Sequence, residues 1–383
     1  MDKLTRRDLI KASAGAAAGI AAITGMPGRL AAAVHTTRRG KQQARIRFAV
    51  IGGNHNHIFG QVGATTRGGG EFVAYHIREP EIRAQFARRY PNVKAVEDER
   101  AILEDKSIQL VLSSIVPIER APLGIRVMQH GKDYMADKPG IITLAQLAEA
   151  RRVQRETKRI YSILYSERLE VPAAIKAGEL VRAGALGTVI QTVGLGPHRT
   201  SPNTRPAWFW DVANYGGILC DIGSHQFDQF LYYTGSTSGE IVASQVRNVN
   251  HPQYPKFQDF GDVMVRGNGG TGYIRNDWFT PNGLPTWGDG RLTIIGTDGF
   301  IELRKYVDIA GRPGGNHLFI SDQKGTTYID CKGIETPYGK QLVDDVVNRT
   351  ETAMTQAHCF LASELAIRAQ DQAKVLKPGA HPV

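Results

Sequence analysis

The stretch Gly216-Gly217-Ile218-Leu219-Cys220-Asp221-Ile222-Gly223-Ser224-His225-Gln226-Phe227-Asp228 carries a carboxylate and an imidazole four residues apart. On a helix, Asp221 and His225 would project from one face, one turn apart. A carboxylate so placed can orient an imidazole and stabilise its protonated form. That gives an acid/base group with a pKa near the working pH. Ile218, Leu219, Ile222 and Phe227 are available to hold such a helix against a core. Taken alone, the stretch is more simply a buried helix whose His and Asp satisfy their neighbours. A second stretch, Asp137-Lys138-Pro139, and the nucleotide-fold pattern before it shift the balance towards chemistry.

Those two stretches need a scaffold, and the pattern from Ile46 onward supplies one. Ile46–Ile51 is a short apolar run ending in Gly52-Gly53 and reads as a buried strand. Strands are expected over 71–77, 108–115, 133–136 and 160–165. Helices are expected over 79–90, 120–130 and 143–158, the last with Thr143 as N-cap. Strand–helix alternation of this kind predicts a doubly wound parallel sheet of the Rossmann type over 45–165. After Glu167 the rhythm changes. A helix over 171–183 is followed by long runs at 240–249, 262–277, 291–303 and 318–331, with turns at Asn268-Gly269-Gly270 and Asp298-Gly299. Residues 166–383 are therefore read as an α+β domain with a large, mostly antiparallel open sheet, closed by one helix over about 340–375. The fold class is α/β.

A dinucleotide site in such a fold needs glycines in the first strand-to-helix turn, so that the backbone can approach the pyrophosphate. The pattern G-x-G-x-x-G falls here on Gly52, Asn54 and His57, and keeps only its first glycine; Gly53 lies beside it. Asn tolerates left-handed backbone best among the side chains, so Asn54 is a cheap replacement. His55 and His57 are candidates to donate to a phosphate or reach the substrate, with a polar loop cap as the equal alternative. The acid expected after the second strand falls on Ile77 and is absent. Arg78 follows at once and suits a 2′-phosphate, which tilts the cofactor choice towards NADP over NAD. Glu79 is one residue further and within reach of a ribose. Pro117, just past the third clear strand, joins the cofactor-binding candidates with Asp137 and Lys138.

At this point the chain resembles the Gfo/Idh/MocA oxidoreductase family, over nearly everything after Arg45. The family's strand-end E-K-P appears as Asp137-Lys138-Pro139, its D-x-x-x-H as Asp221 to His225, and the glycines Gly216 and Gly217 also fit. The resemblance implies hydride transfer between a sugar or polyol carbon and nicotinamide, with NAD or NADP as cofactor. It implies that His225 moves the hydroxyl proton and that Lys138 stabilises the developing alkoxide. Asp221 would orient His225 or hold the sugar, and Pro139 would aim Lys138 across the nicotinamide. It also implies a homo-oligomer, a dimer or tetramer, formed on an exposed sheet face. Asp137 in place of the family's Glu shortens one carboxylate, and two of the family's turn glycines are missing.

Two further segments, Pro197-His198-Arg199 and Arg205 to Trp210, lie between a strand and the Asp221 helix, where loops would face the cleft. His198, Arg199 and Trp208 are substrate-binding candidates, since Trp and Arg can stack on sugar faces and bind hydroxyls or carboxylates. Packing is the stronger alternative for Trp208. Tyr165 and Arg168, at the domain crossover, complete the substrate set with no reason to prefer either role.

Residues 1–33 stand apart. Thr5-Arg6-Arg7-Asp8-Leu9-Ile10-Lys11 has a twin-arginine pattern, an Ala/Gly-rich apolar run follows, and Ala31-Ala32-Ala33 offers a cleavage site. The expectation is export of a folded protein to the periplasm, followed by a linker over 34–44. The run is too short and weak to span a membrane, and no lipid-anchor cysteine follows it. Loss of this segment would lower the net charge from +10 to +7. The remaining charge forms no aromatic-interleaved basic stripe, so no nucleic-acid partner is expected, although a modest pull on anionic ligands is. Cys220, Cys331 and Cys359 lack metal-ligand spacing, and no metal is expected.

Three functions remain open from sequence. The first is an NAD(P)-dependent oxidoreductase acting on CH-OH groups of a carbohydrate or polyol, its cofactor tightly held. The second is an NAD-dependent glycosidase or epimerase that oxidises its substrate transiently. The third is a non-catalytic binding protein with a lost cofactor site.

Overall fold

The computed structural model describes residues 44–376. The expected export signal and residues 34–43 of the expected linker lie outside the described residues.

The first half builds a parallel sheet from β1 (Ile46–Ile51), β2 (Gly70–His76), β3 (Lys94–Ala95), β4 (Leu110–Ser113), β5 (Asp133–Asp137) and β6 (Tyr161–Leu164). Its crossovers are α1 (His57–Arg67), α2 (Pro80–Arg89), α3 (Arg100–Leu103), α4 (Pro117–Gln129) and α5 (Leu144–Thr157). The strand order is 3-2-1-4-5-6. Helices on both faces leave β4, β5 and β6 buried at every residue, so they are mostly apolar without alternation, with Asp133 and Asp137 at the ends of β5. Thr143 caps α5 as expected, its hydroxyl accepting from Gln146 N at 3.1 Å. The strand order reverses between β1 and β4, and that reversal opens a crevice at the carboxyl ends of the strands. Gly52, Pro117 and Asp137 all sit at that end.

The second half runs through α6 (Ser166–Leu169), α7 (Pro172–Arg182), β7 (Val189–Pro197), two short 3-10 turns, α8 (Val212–Tyr215), α9 (Ile218–Asp221) and α10 (Gly223–Thr234). Then come β8 (Gly239–Arg247), β9 (Phe260–Gly267), β10 (Gly270–Asp277), β11 (Arg291–Gly296), β12 (Gly299–Arg304), β13 (His317–Asp322) and β14 (Gly325–Asp330). The chain ends in α11 (Tyr338–Asn348), α12 (Gln356–Asp371) and β15 (Lys374–Val375). These strands form a nine-stranded sheet, antiparallel except where β7 meets β10 and β8 meets β15. Ile274, Val263, Ile294, Ile301 and Leu318 are buried on one face. The opposite face carries Met264, Phe300 and Tyr328, all exposed. Gly196 on β7 lets the α9–α10 segment lie close against this sheet, because a Cβ there would stand 2.7 Å from Ile222 Cγ2.

The single helix expected over 340–375 is two helices. Arg349 takes a left-handed φ of 57° and ends α11. Buried Asp345 then gathers the loop, accepting from Thr352 N and Ala353 N at 2.8 Å each and from the Thr350 hydroxyl at 2.6 Å. Both helices return to the parallel-sheet half: Arg349 pairs with Asp133, and Gln356 Oε1 accepts from Tyr161 N at 2.8 Å.

Candidate active site

The turn after β1 keeps glycine where the backbone demands it. Gly52 has φ +74°, and a Cβ there would lie 2.9 Å from Ile115 Cβ. The expectation that Asn54 stands in for a left-handed glycine fails: it is absent from the left-handed residues, and its Nδ2 donates to Glu79 Oε1 at 2.7 Å. Glu79 is thereby tied to the turn. The first turn of α1 has neither a side-chain cap nor an acid to repel an anion, although the amides of Ile58 and Phe59 already donate to His55 O and Asn56 O at 3.2 Å each. Asn54 Oδ1 is buried without a partner. These features fit the pyrophosphate and ribose of a dinucleotide despite the missing glycines. Arg78 points outward, more than half exposed, 3.3 Å from Glu119.

Asp137, at the end of β5, is a hub. Its Oδ2 accepts from His55 Nδ1 at 2.9 Å and forms an ion pair with Arg120 Nη2 at 3.1 Å. Its Oδ1 accepts from His57 Nδ1 at 2.9 Å and from Lys138 N at 2.8 Å. The two histidines are therefore donors to a carboxylate rather than free side chains of the loop, and Nε2 is the other polar atom of each ring. The trio is close enough to hold a metal ion. Oδ1 already has two donors and Oδ2 one, however, and the Arg120 charge beside Oδ2 opposes a cation. Burial, with His57 alongside, pushes His55 down to about 4, so it is neutral at pH 7. Burial would raise Asp137, but the surrounding His57, Arg120 and His55 hold it well below the usual carboxylate range.

Lys138 Nζ donates to Asp221 Oδ1 at 3.0 Å, across the two halves of the protein. The Lys138–Pro139 peptide is cis. Burial opposes ionisation of Asp221, and the Lys138 charge and hydrogen bond outweigh it. Asp221 does not orient His225. The helix is interrupted at Ile222, where His225 N bonds to Ile222 O at 3.2 Å, three residues back. The tightened turn breaks the regular helical offset on which a four-residue pairing depends. His225 is buried, and its Nδ1 has no partner among the described residues. Burial lowers it to about 4, with buried Glu167 pulling upward and Lys138 pushing down.

Of these groups, His55, His57, Lys138 and Asp221 border a cavity of about 370 Å³, whose walls also include His198 and Arg205; His225 is buried and is not part of its lining. The indoles of Trp208, Trp278 and Trp287 also face it. His198 sits between Trp278 and Trp287, its ring centroid 5.3 and 4.5 Å from theirs. Its Nδ1 faces Gly196 O at 3.2 Å, and burial lowers its pKa to about 3. His55, His57, Pro117, Lys138, His198, Arg199, Trp208 and Asp221 thus come together on one cavity.

Tyr165 and Arg168 do not. Both are buried away from it: the Tyr165 hydroxyl meets Ser363 Oγ at 3.2 Å, and Arg168 clasps Asp228 with two bonds of 2.7 Å. They hold the crossover together instead of lining the cleft. Sequence reasoning also missed Arg120, Trp278, Trp287 and the buried pair Lys305–Glu167, whose Nζ–Oε2 distance is 2.7 Å. Arg120 had a signal, a charge on the buried side of an otherwise apolar helix. Lys305 had none, for it lies at the end of a strand far along the chain.

Comparison with known proteins follows the same lines. Residues 174–302 match the GFO/IDH/MocA C-terminal domain. A crystal structure of an oxidoreductase candidate from Erwinia carotovora atroseptica SCRI1043 superposes with a TM-score of 0.84 at 44% identity, covering 87% of this chain and all of that one. This chain belongs to the Gfo/Idh/MocA family. Among curated members of similar sequence is scyllo-inositol 2-dehydrogenase (NAD(+)) of Bacillus subtilis, 24% identical over 279 residues, 72% of each chain. Levoglucosan dehydrogenase of Pseudarthrobacter phenanthrenivorans is 26% identical over 199 residues, and the match spans about half the length of each. In this Gfo/Idh/MocA protein the C-terminal match contributes Asp221, His225 and the aromatic wall, and the parallel sheet contributes the nucleotide turn and Lys138.

Proposed function

We propose that this protein is an NAD(P)-dependent oxidoreductase that moves a hydride between a hydroxyl-bearing carbon of a sugar or polyol and nicotinamide. The observation that carries the reading is the Lys138–Asp221 ion pair, held on a cavity that has the nucleotide turn on one side and indoles on the other. The names of the inositol and levoglucosan dehydrogenases support the same substrate class. The nicotinamide, when bound, supplies the hydride acceptor or donor. His225, uncharged at pH 7 and enclosed, takes the hydroxyl proton or returns it. Glu167 raises the proton affinity of that ring. Lys138 places its ammonium at the same oxygen and stabilises alkoxide charge, an effect that grows where water is excluded. Asp221 fixes Lys138, and His55, Asn56, His57 and Pro117 border the cofactor side.

We further propose export through the twin-arginine pattern of Arg6 and Arg7, with the cofactor loaded in the cytoplasm and retained. Retention against dilution needs a dissociation constant well below a micromolar, or more than about 8 kcal/mol of binding free energy. The exposed Met264, Phe300 and Tyr328 on one sheet face support a homo-oligomer. The test is to purify the exported protein, dialyse it, and identify released small molecules by mass spectrometry. Stoichiometric nicotinamide cofactor, with net oxidation or reduction of an added sugar, is expected. Bond cleavage without net redox would replace this reading with transient oxidation. Protein that binds no cofactor at all would leave a binding protein.

A further inference from the structure

Among the described residues, the carboxylate in the cavity wall is Asp221, and Lys138 already neutralises it. Arg120 is answered by Asp137 behind the wall. Two guanidinium groups remain on the loop after β7, and neither pairs with a carboxylate among the described residues. Arg199 uses Nη2 on the carbonyls of Pro281 and Leu284, at 2.9 and 2.6 Å, while its Nε is buried with no acceptor. Arg205 uses Nε on Thr200 O at 2.7 Å and Nη2 on Arg199 O at 3.1 Å. It stacks over Phe209 and Trp278, 4.4 and 4.9 Å from the ring centroids, so its plane is fixed. Trp278 Nε1 is a further buried donor without an acceptor.

The cavity thus combines three indoles with two guanidinium groups that form no ion pair among the described residues, Asp221 acting on Arg205 only from beyond contact distance. Arginine remains protonated even where burial disfavours its charge. Leaving a buried donor unmet costs free energy, and an ionised acceptor is the strongest remedy. A neutral sugar would satisfy the indoles but leave both guanidinium groups without an ion pair. We propose that the substrate is a sugar acid, with its carboxylate held by Arg199 and Arg205 and its ring or chain laid along Trp208, Trp278 and Trp287. The reacting carbinol would then lie towards Lys138 and His225. The few donors left on the two guanidinium groups match the two oxygens of a carboxylate better than the three of a phosphate monoester. This inference deepens the hydride-transfer reading of the same cleft and rests on it for the position of the carbinol only.

The experiment compares D-gluconate and D-glucuronate with D-glucose, and with glucose 6-phosphate as the other anion. It uses the full-length protein with its cofactor. Turnover is followed by nicotinamide absorbance, and binding is measured separately by calorimetry. The expected result is a preference for at least one acid over glucose of about 100-fold in kcat/KM, carried mainly by KM. Arg205→Gln and Arg199→Gln should each reduce that ratio at least tenfold, and Arg205→Lys should restore part of it. The ratio is internal to each variant, so a partly destabilised protein still answers, and Arg199→Gln serves if Arg205→Gln does not fold. Acid binding that depends on the two arginines without any turnover would uphold this inference and sink the hydride-transfer reading. Equal use of glucose and the acids, preference for the phosphate, or an unchanged ratio in both Gln variants would overturn it.

Discussion

Lys138 Nζ stands 3.0 Å from Asp221 Oδ1, and this contact joins the last residue but one of the strand-end motif to the second half of the chain. The ammonium is therefore held by a carboxylate from the opposite side of the cleft, while His225, four residues past Asp221, is left without that carboxylate. Two residues that look like a pair in sequence serve different partners. Asp221 aims the charge, and the proton carrier draws on Glu167 instead.

Lys138→Ala and His225→Ala should each lower turnover on a verified substrate by about 10²–10⁴. Circular dichroism should show the fold intact in both. Near wild-type kcat in both variants would remove these residues from the chemistry.

Asp137→Ala should cost more stability than either. It strips the partner from Arg120, which is buried, and frees two histidines at once. Breaking a buried pair in this way costs about 3–5 kcal/mol. Urea denaturation reads the loss directly, and a change below about 1 kcal/mol would show that the hub is not structural.

Acid should weaken the fold before it touches most carboxylates. His55 and His225 sit at about 4 and His198 at about 3, against an ordinary 6.5. Between about 6.5 and 4 the unfolded chain binds protons that the folded chain refuses, so stability falls as pH falls through that window. The same groups contribute no slope above pH 7. Melting temperatures measured from pH 8 to 4 should be flat at first and then drop. Replacing His198 by Asn should flatten part of the slope.

Arg78→Ala should reduce any preference for NADP over NAD roughly tenfold, the effect of one charge-assisted bond. Arg78 is more than half exposed and faces Glu119 loosely at 3.3 Å, so it can turn towards a 2′-phosphate. Titration of both cofactors into wild type and variant measures this. Unchanged ratios would take Arg78 out of the cofactor site.

Much of this was legible in the sequence where structure is local. The β1 run ends in a glycine that must be left-handed, and the chain spells this out within a few residues. Lys138 and Asp221 could be named from motif and resemblance, but their contact spans 83 positions and carries no local trace. The Asn54 expectation failed because a side-chain bond to Glu79 was available and left-handed backbone was not required. Arg168 misled for a related reason: a charge at a domain crossover looks like a ligand contact until the buried Asp228 appears beside it. The two C-terminal helices were read as one because Arg349 is neither glycine nor proline, yet it adopts the turn that ends the first.

The indoles on the cavity have an optical consequence. The chain has four tryptophans, and Trp208, Trp278 and Trp287 face the ligand space. Intrinsic emission therefore samples chiefly the occupied or empty state of that space. Reduced nicotinamide absorbs where indoles emit, so loading should quench the tryptophan signal and light the cofactor instead. A molecule built this way reports its own redox state to a fluorimeter, without a label and without a coupled assay.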